Sequence, residues 1–186
     1  MAIIQSVPVP RTSTTNPTNM SGNPWWYSSG NPFYPNYPLP NCTCYAYGRV
    51  GEICGAFNTN IPLGNAGTWY PTAEAQGILP VGQEPAAGAI IGWYDPNGNN
   101  LGHVAIVEYV NDDGSIFTSN SGYPSDYFWT KTLTRSSGYI DSWMISRDYV
   151  CQGFIYTYDM PPVSEDDALL LLALRRRRID FNPWRN

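Results

Sequence analysis

Residues 41–55 read Asn-Cys-Thr-Cys-Tyr-Ala-Tyr-Gly-Arg-Val-Gly-Glu-Ile-Cys-Gly, directly after Asn-Pro-Phe-Tyr-Pro-Asn-Tyr-Pro-Leu-Pro at 31–40. The repeated prolines forbid a helix before residue 41 and call for an extended run. Asn41 is a strong N-cap and Gly55 a natural stop, so a helix is predicted from Cys42 to about Cys54. The Cys42 thiol then faces the positive end of a helix dipole, where a thiolate is stabilised.

Further along, Pro71 to Gln76 reads as a short helix, with Pro at its start and Gly77 just past its end. From residue 88 the texture changes to short strands. Gly88 to Tyr94 is one, stopped by Asp95-Pro96-Asn97-Gly98. His103 to Val110 and Ser115 to Ser121 form a hairpin across Asn111-Asp112-Asp113-Gly114. Tyr139 to Ser146 and Gly153 to Tyr158 are expected to complete a meander. Helices followed by antiparallel strands define an α+β fold.

Three regions are expected. Residues 1–30, rich in Pro, Ser, Thr, Asn and Gly, read as an N-terminal arm that docks through Trp25 and Trp26. Residues 31–160 carry the folded domain. Residues 161–186 form a C-terminal helical and basic tail. There Glu165 to Asp167 precede Leu169 to Leu172 and Leu174, and Arg175 to Arg178 close the run. Acid at its start and base at its end suit a helix dipole. Those leucines, with Trp184, would expose apolar surface on an isolated chain and therefore mark an interaction site.

Composition excludes several classes. The net charge of −5 offers no basic surface to release phosphate counterions, so no nucleic-acid partner is expected. No apolar run reaches the ~18 residues of a membrane span. The first residues lack a basic stretch followed by a sustained apolar one and do not read as a signal peptide. The four cysteines form no C-x-x-C pair and there is one His, which removes the usual structural zinc sites. Residues 1–41 hold no Asp or Glu, and Asp95-Pro96-Asn97-Gly98-Asn99 lacks the later Glu of a calcium loop. No metal and no cofactor are expected.

The chemistry that remains is nucleophilic. Cys44, Cys54 and Cys151 lie within the helix run or between strands and read as inert. His103 is the only imidazole in the chain, so it is the only base a thiol enzyme could use here. A third group should orient that imidazole. A turn centred between Asp112 and Asp113 pairs residues whose numbers sum to about 225, setting His103 opposite Gly122 with Asn120 diagonal on the same face. A one-residue bulge would substitute Ser121. Asn120 is the expected third member.

These residues resemble the CHAP domain, of the papain-like NlpC/P60 group of peptidoglycan amidases and endopeptidases. The resemblance rests on Asn-Cys-Thr-Cys-Tyr-Ala-Tyr-Gly-Arg at 41–49, Gly-Ala-Ile-Ile-Gly-Trp at 88–93 and Gly-His-Val-Ala-Ile-Val-Glu at 102–108, in the family's order and spanning roughly residues 38–158. It implies a papain-like CHAP fold with Cys42 as nucleophile and His103 as base. It departs from the family pattern in two places. Where the family often has an acid in a Ser-Glu-x-Asn pattern, this chain has Ser119-Asn120-Ser121-Gly122. Asn41 stands where a Gln often precedes the nucleophile, so the oxyanion donors would be the Cys42 N–H and the Asn41 amide. The expected function is cysteine-dependent cleavage of a peptidoglycan amide, as an N-acetylmuramoyl-L-alanine amidase or endopeptidase. The expected location is a bacteriophage virion, as a tail-associated lysin acting at the host wall. Its tails would dock onto other virion subunits or further copies of the chain. The alternatives are a weak or inactive wall-binding tail protein that has kept the fold, and a free endolysin.

Overall fold

The computed structural model describes residues 7, 9–12, 20–98 and 101–157. The leucine run at 169–174, Arg175 to Arg178 and Trp184 lie outside the described residues, so the expected C-terminal helix does as well.

Helix α1 spans Cys42–Cys54, and Gly55 follows in the left-handed conformation at φ 71°. The Asn41 Oδ1 caps it, accepting from the Thr43 N–H at 2.9 Å and the Cys44 N–H at 3.2 Å. Helix α2 spans Trp69–Gln76, two residues longer at its start than predicted, and a 3-10 turn over Ala66–Thr68 leads into it. Pro71 is tolerated because first-turn N–H groups have no intrahelical acceptor.

The strands are β1 Val81–Gly82, β2 Ile90–Tyr94, β3 Gly102–Val110, β4 Ile116–Gly122, β5 Asp126–Leu133 and β6 Val150–Ile155. They form one antiparallel sheet in the order β1-β6-β2-β3-β4-β5. One face carries Ile90, Val104, Ile106 and Ile155 and packs against α1. The other carries Ile91, Trp93, Ala105, Val107 and Phe154 beneath residues 139–149. Covered on both sides, β2 and β3 are apolar at nearly every position, without the strict alternation of a half-exposed strand.

The expected α+β fold is found, with four corrections to its details. Tyr139 to Ser146 is not a strand. Gly138 and Tyr139 both take positive φ, and the Asp141 carboxylate caps a four-residue helix, α3 (Ser142–Ile145), by accepting from the Met144 N–H. The expected hairpin of β3 and β4 is present, but the strand that follows on the outer side of β4 is β5, so the last strand does not extend a meander. It crosses back to pair with β2. Within the run expected to be extended, residues 31–37 are tight turns, with Tyr34 N–H bonded to Asn31 O and Tyr37 N–H to Phe33 O. Proline excludes helix but suits turns as well as extended chain.

The fourth correction concerns the N-terminal arm. Trp26 is fully buried, its Nε1–H donating to the Tyr45 carbonyl at 3.0 Å and its ring stacked on Tyr45. Gly48 permits this, because a Cβ there would lie 2.5 Å from the indole nitrogen. Trp25 packs edge-on against Phe57. Asn31 Nδ2–H donates to the carbonyls of Trp25 and Cys44, tying the segment to α1. Farther upstream, the Val7 N–H donates to the Glu108 carbonyl, and the Arg11 guanidinium grips Glu52 at 2.6 Å. The two tryptophans expected to dock on other molecules fill this domain's own core.

Candidate active site

Cys42 opens α1, and its sulfur lies against the backbone N–H groups of Val104, Thr43 and Cys42 itself. Val104 immediately follows His103 on β3, so the helix start and the strand start meet here. Gly102 lets the start of β3 lie close against β2: a Cβ there would sit 2.1 Å from the Trp93 carbonyl oxygen. The site borders a groove of about 400 Å³, walled by Phe33, Tyr37, Leu63, Ala66 and Leu101 together with Asn41, Cys42 and Thr43. None of its lining residues is charged.

His103 is only 2% exposed. Its Nε2 is hydrogen-bonded to the Asn120 Oδ1 at 3.0 Å, which makes Nε2 the protonated nitrogen and leaves Nδ1 with its lone pair. The Asn120 amide is fixed in turn, donating to Thr118 Oγ1 at 3.1 Å. Register explains why Asn120, and not Ser121, fills this place. Beside the turn, Val110 pairs with Ile116, numbers summing to 226. Past an irregularity at Glu108, Val107 pairs with Thr118 and Ile106 with Ser119, each summing to 225. The bulge restores the register that sets Asn120 diagonal to His103.

The electrostatics differ from the sequence expectation at the sulfur. Burial pushes the Cys42 thiol up, and this outweighs the lowering by the N–H groups of Val104, Thr43 and Cys42. Burial likewise pushes His103 down to about 4, against smaller raising effects from the Asn120 hydrogen bond and Asp141, while Arg147 lowers it. The resting pair is therefore a neutral thiol and a neutral imidazole. Cys42 and His103 are not hydrogen-bonded to each other, and catalytic hydrogen bonds often tighten only when substrate binds. Asn41 uses its carbonyl oxygen as the helix cap, which leaves its Nδ2–H₂ as the donor available to an oxyanion. Of the other thiols, Cys44 is buried and raised to about 12 and Cys151 is raised to about 11, both by burial, while Cys54 is exposed.

Sequence reasoning did not single out the tryptophans around the imidazole. Trp93 and Trp129 lie nearly parallel to it, with centroids at 5.7 and 5.5 Å, and Trp143 meets it edge-on at 5.6 Å. Trp93 was legible as the across-strand neighbour of His103 once the turn at 95–98 was read as a hairpin. Trp129 needed β5, which was not foreseen. Also missed was the Glu108 carboxylate. It is fully buried and accepts from Arg49 Nε and Nη2 at 3.0 and 2.7 Å, and from Ser119 Oγ. Among the described residues, no group of three or more His, Cys, Asp and Glu side chains is placed to hold a metal ion. No helix among them is long and apolar enough to cross a membrane.

Fold and site together define a class: α+β domains in which a cysteine at a helix start meets a strand carrying a histidine whose far nitrogen is held by a side-chain oxygen. The chain matches the family model described as CHAP domain over residues 32–122. It is 34% identical over 126 residues to the Staphylococcal secretory antigen SsaA of Staphylococcus epidermidis, covering 67% of this chain and 41% of that protein. It is 35% identical over 112 residues to the secretory antigen ssaA2 of Staphylococcus aureus, covering 59% and 37%. The chain thus spans about two fifths of the length of these relatives. Among solved structures, an N-acetylmuramoyl-L-alanine amidase from Staphylococcus aureus is similar with a TM-score of 0.48 and 24% identity, covering 66% of this chain and 32% of that one.

Proposed function

We propose that this domain is a cysteine-dependent peptidoglycan amide hydrolase, an amidase or endopeptidase, in which Cys42 attacks, His103 shuttles the proton and Asn120 orients the imidazole. The observation that carries the reading is the His103–Asn120 hydrogen bond at 3.0 Å, which fixes the tautomer and frees Nδ1 as the base. The CHAP match, which spans these three residues, supports peptidoglycan as the substrate class.

The chemistry follows from the groups present. As a substrate amide enters the groove, the Cys42 S–H gives its proton to His103 Nδ1 and the sulfur bonds to the carbonyl carbon. The Cys42 N–H and the Asn41 Nδ2–H₂ are the donors for the resulting oxyanion. Collapse breaks the C–N bond, and the leaving amine takes the proton from the imidazolium. Water, deprotonated by His103, then hydrolyses the thioester and frees Cys42. A buried neutral pair suits this order, because charge separates only when the amide is there to be attacked.

Zymography on purified cell walls tests the reading. The full chain should clear the walls, and Cys42→Ser and His103→Ala should each remove nearly all clearing, since proton transfer is worth ~10²–10⁴-fold. Undiminished lysis by His103→Ala would sink the mechanism, because no second His exists to replace it. A place in a bacteriophage tail is also proposed. Its support is the leucine-rich stretch after Pro162, since the described N-terminal residues are occupied within their own domain. Recovery of particles containing the full chain but not a chain ending at Thr157 would test it, and equal incorporation would refute it.

A further inference from the structure

His103 lies in a row of residues across one face of the sheet. On β2, Trp93 is its direct register partner. On β4, the 225 register puts Gly122 opposite it. On β5, Trp129 pairs with Asn120, diagonal to that glycine. Neighbouring strands lie about 4.8 Å apart, so an indole on β5 reaches an imidazole on β3 only by crossing β4. Gly122 leaves the room for it: a Cβ there would lie 2.9 Å from Trp129 Cη2 and 3.2 Å from Cζ3. The imidazole is left between two indole faces, tilted 27° from Trp93 and 18° from Trp129. Trp93 is itself locked, its Nε1–H donating to the Tyr139 carbonyl at 3.0 Å.

Resting on the Cys/His reading above, we propose that Trp93 and Trp129 are positioning residues that stabilise the imidazolium of His103 through their π faces, in the role a carboxylate would otherwise fill. The two departures at 119–122 then belong together. Asn120 holds the Nε2–H but brings no negative charge, and Gly122 admits an indole whose face attracts a cation. A cation within about 6 Å of a ring centroid gains most when it is desolvated, as this one is. The charged groups facing the site are few. Asp141 favours the imidazolium but is paired with Lys131 at 3.2 Å, and Arg147, seated on the Trp143 ring at 4.8 Å, opposes it. Cys42 on α1, Tyr149 beside Trp143 and Cys151, the register partner of Trp93 on β6, are further titratable neighbours, each held neutral by burial. The acceptor strength of His103 during proton transfer therefore depends on rings more than on ions.

His103 is the only histidine, so its ring signals titrate unobscured in an NMR spectrum of the full chain. Trp129→Leu keeps apolar bulk and removes the π face. It should lower the proton affinity of His103 by about tenfold and slow iodoacetamide alkylation of Cys42 by a similar factor. Trp129→Phe, which restores a π face, should recover much of both. Gly122→Ala should displace the indole without touching it chemically and move both readouts in the direction of Trp129→Leu. An unchanged or raised His103 titration midpoint in folded Trp129→Leu or Gly122→Ala overturns the proposal, as does a Phe variant no better than Leu. Neither readout needs wall cleavage. Titrations that shift as expected in a protein that lyses no walls would refute the proposed hydrolase activity while leaving the sandwich standing.

Discussion

Removing the Arg49 side chain tests how the two faces of α1 and β3 are joined. Glu108 is fully buried, and its carboxylate oxygens take two hydrogen bonds from Arg49, one from Ser119 and one from the Arg11 N–H at 3.1 Å. Arg49 supplies the only charged contact among these four, and it is itself nearly buried. Arg49→Met keeps the aliphatic packing along the helix and leaves an uncompensated carboxylate in the core. Glu52, the other acid on Arg49, retains Arg11 at 2.6 Å and is partly exposed, so little of the loss falls there. The cost should be that of breaking a buried pair, about 3–5 kcal/mol. At roughly 2–4 °C per kcal/mol for a chain of this size, the thermal midpoint should drop by about 6–20 °C. Urea titration followed by tryptophan fluorescence measures it. Arg49→Met with Glu108→Leu should recover most of the loss, because an apolar pair of similar volume avoids desolvating charge. A cost below about 1 kcal/mol for the single variant, or a double variant no more stable than the single, would refute this account.

Two further outcomes follow from the burial of His103 and of Trp26. In the proposed mechanism His103 must be neutral to accept the Cys42 proton, so kcat/KM should fall as pH drops through the His103 value of about 4, well below the ordinary 6.5. An acid limb at pH 6–7 in a pH–rate profile would show that the imidazole is solvated. Deleting residues 1–30 strips Met20 and Trp26 from the core and removes the Arg11–Glu52 pair. Trp26→Ala alone should cost about 3–5 kcal/mol by chemical denaturation, and a chain of residues 31–160 that stayed as stable as the full one would contradict the packing.

What the sequence revealed follows from how local each signal is. Helix α1 was legible because both its ends are written in single residues, Asn41 as cap and Gly55 in left-handed geometry. Asn120 was legible by a less direct route. Register beside the turn is offset by one from the simple expectation, because Gly114 takes φ 78° in a three-residue loop, and the irregularity at Glu108 cancels the offset. Nothing in the local sequence announces that cancellation. The segment 139–146 is rich in Tyr, Ile, Trp and Met, residues common in strands. Its fate is set by the positive φ of Tyr139 and by the Asp141 cap, which only the tertiary setting reveals. The N-terminal residues carry the composition of a linker, and composition cannot show that Gly48 leaves a slot for the Trp26 indole. At the sulfur, the sequence marks the helix start but not its electrostatic setting, since desolvation depends on everything packed around Cys42.

The CHAP match ends at Gly122, yet the sheet does not end there. β5 covers the outer edge of β4, and β6 slots in along the free side of β2, with Ile90 set against Ile155. A chain cut at residue 122 would contain Cys42, His103 and Asn120 and would still present two bare strand edges. Each would carry a row of unpaired amide and carbonyl groups able to recruit the edge of another molecule. During synthesis the free side of β2 stays unpaired until β6, ending at Ile155, has emerged, a pairing that spans about 60 residues of chain, whereas β5 follows β4 directly. The family match and the sheet therefore have different boundaries. The 33 residues from Tyr123 to Ile155 contribute none of the three expected catalytic groups, yet they supply β5 and β6, the strands that pair with the outer sides of β4 and β2.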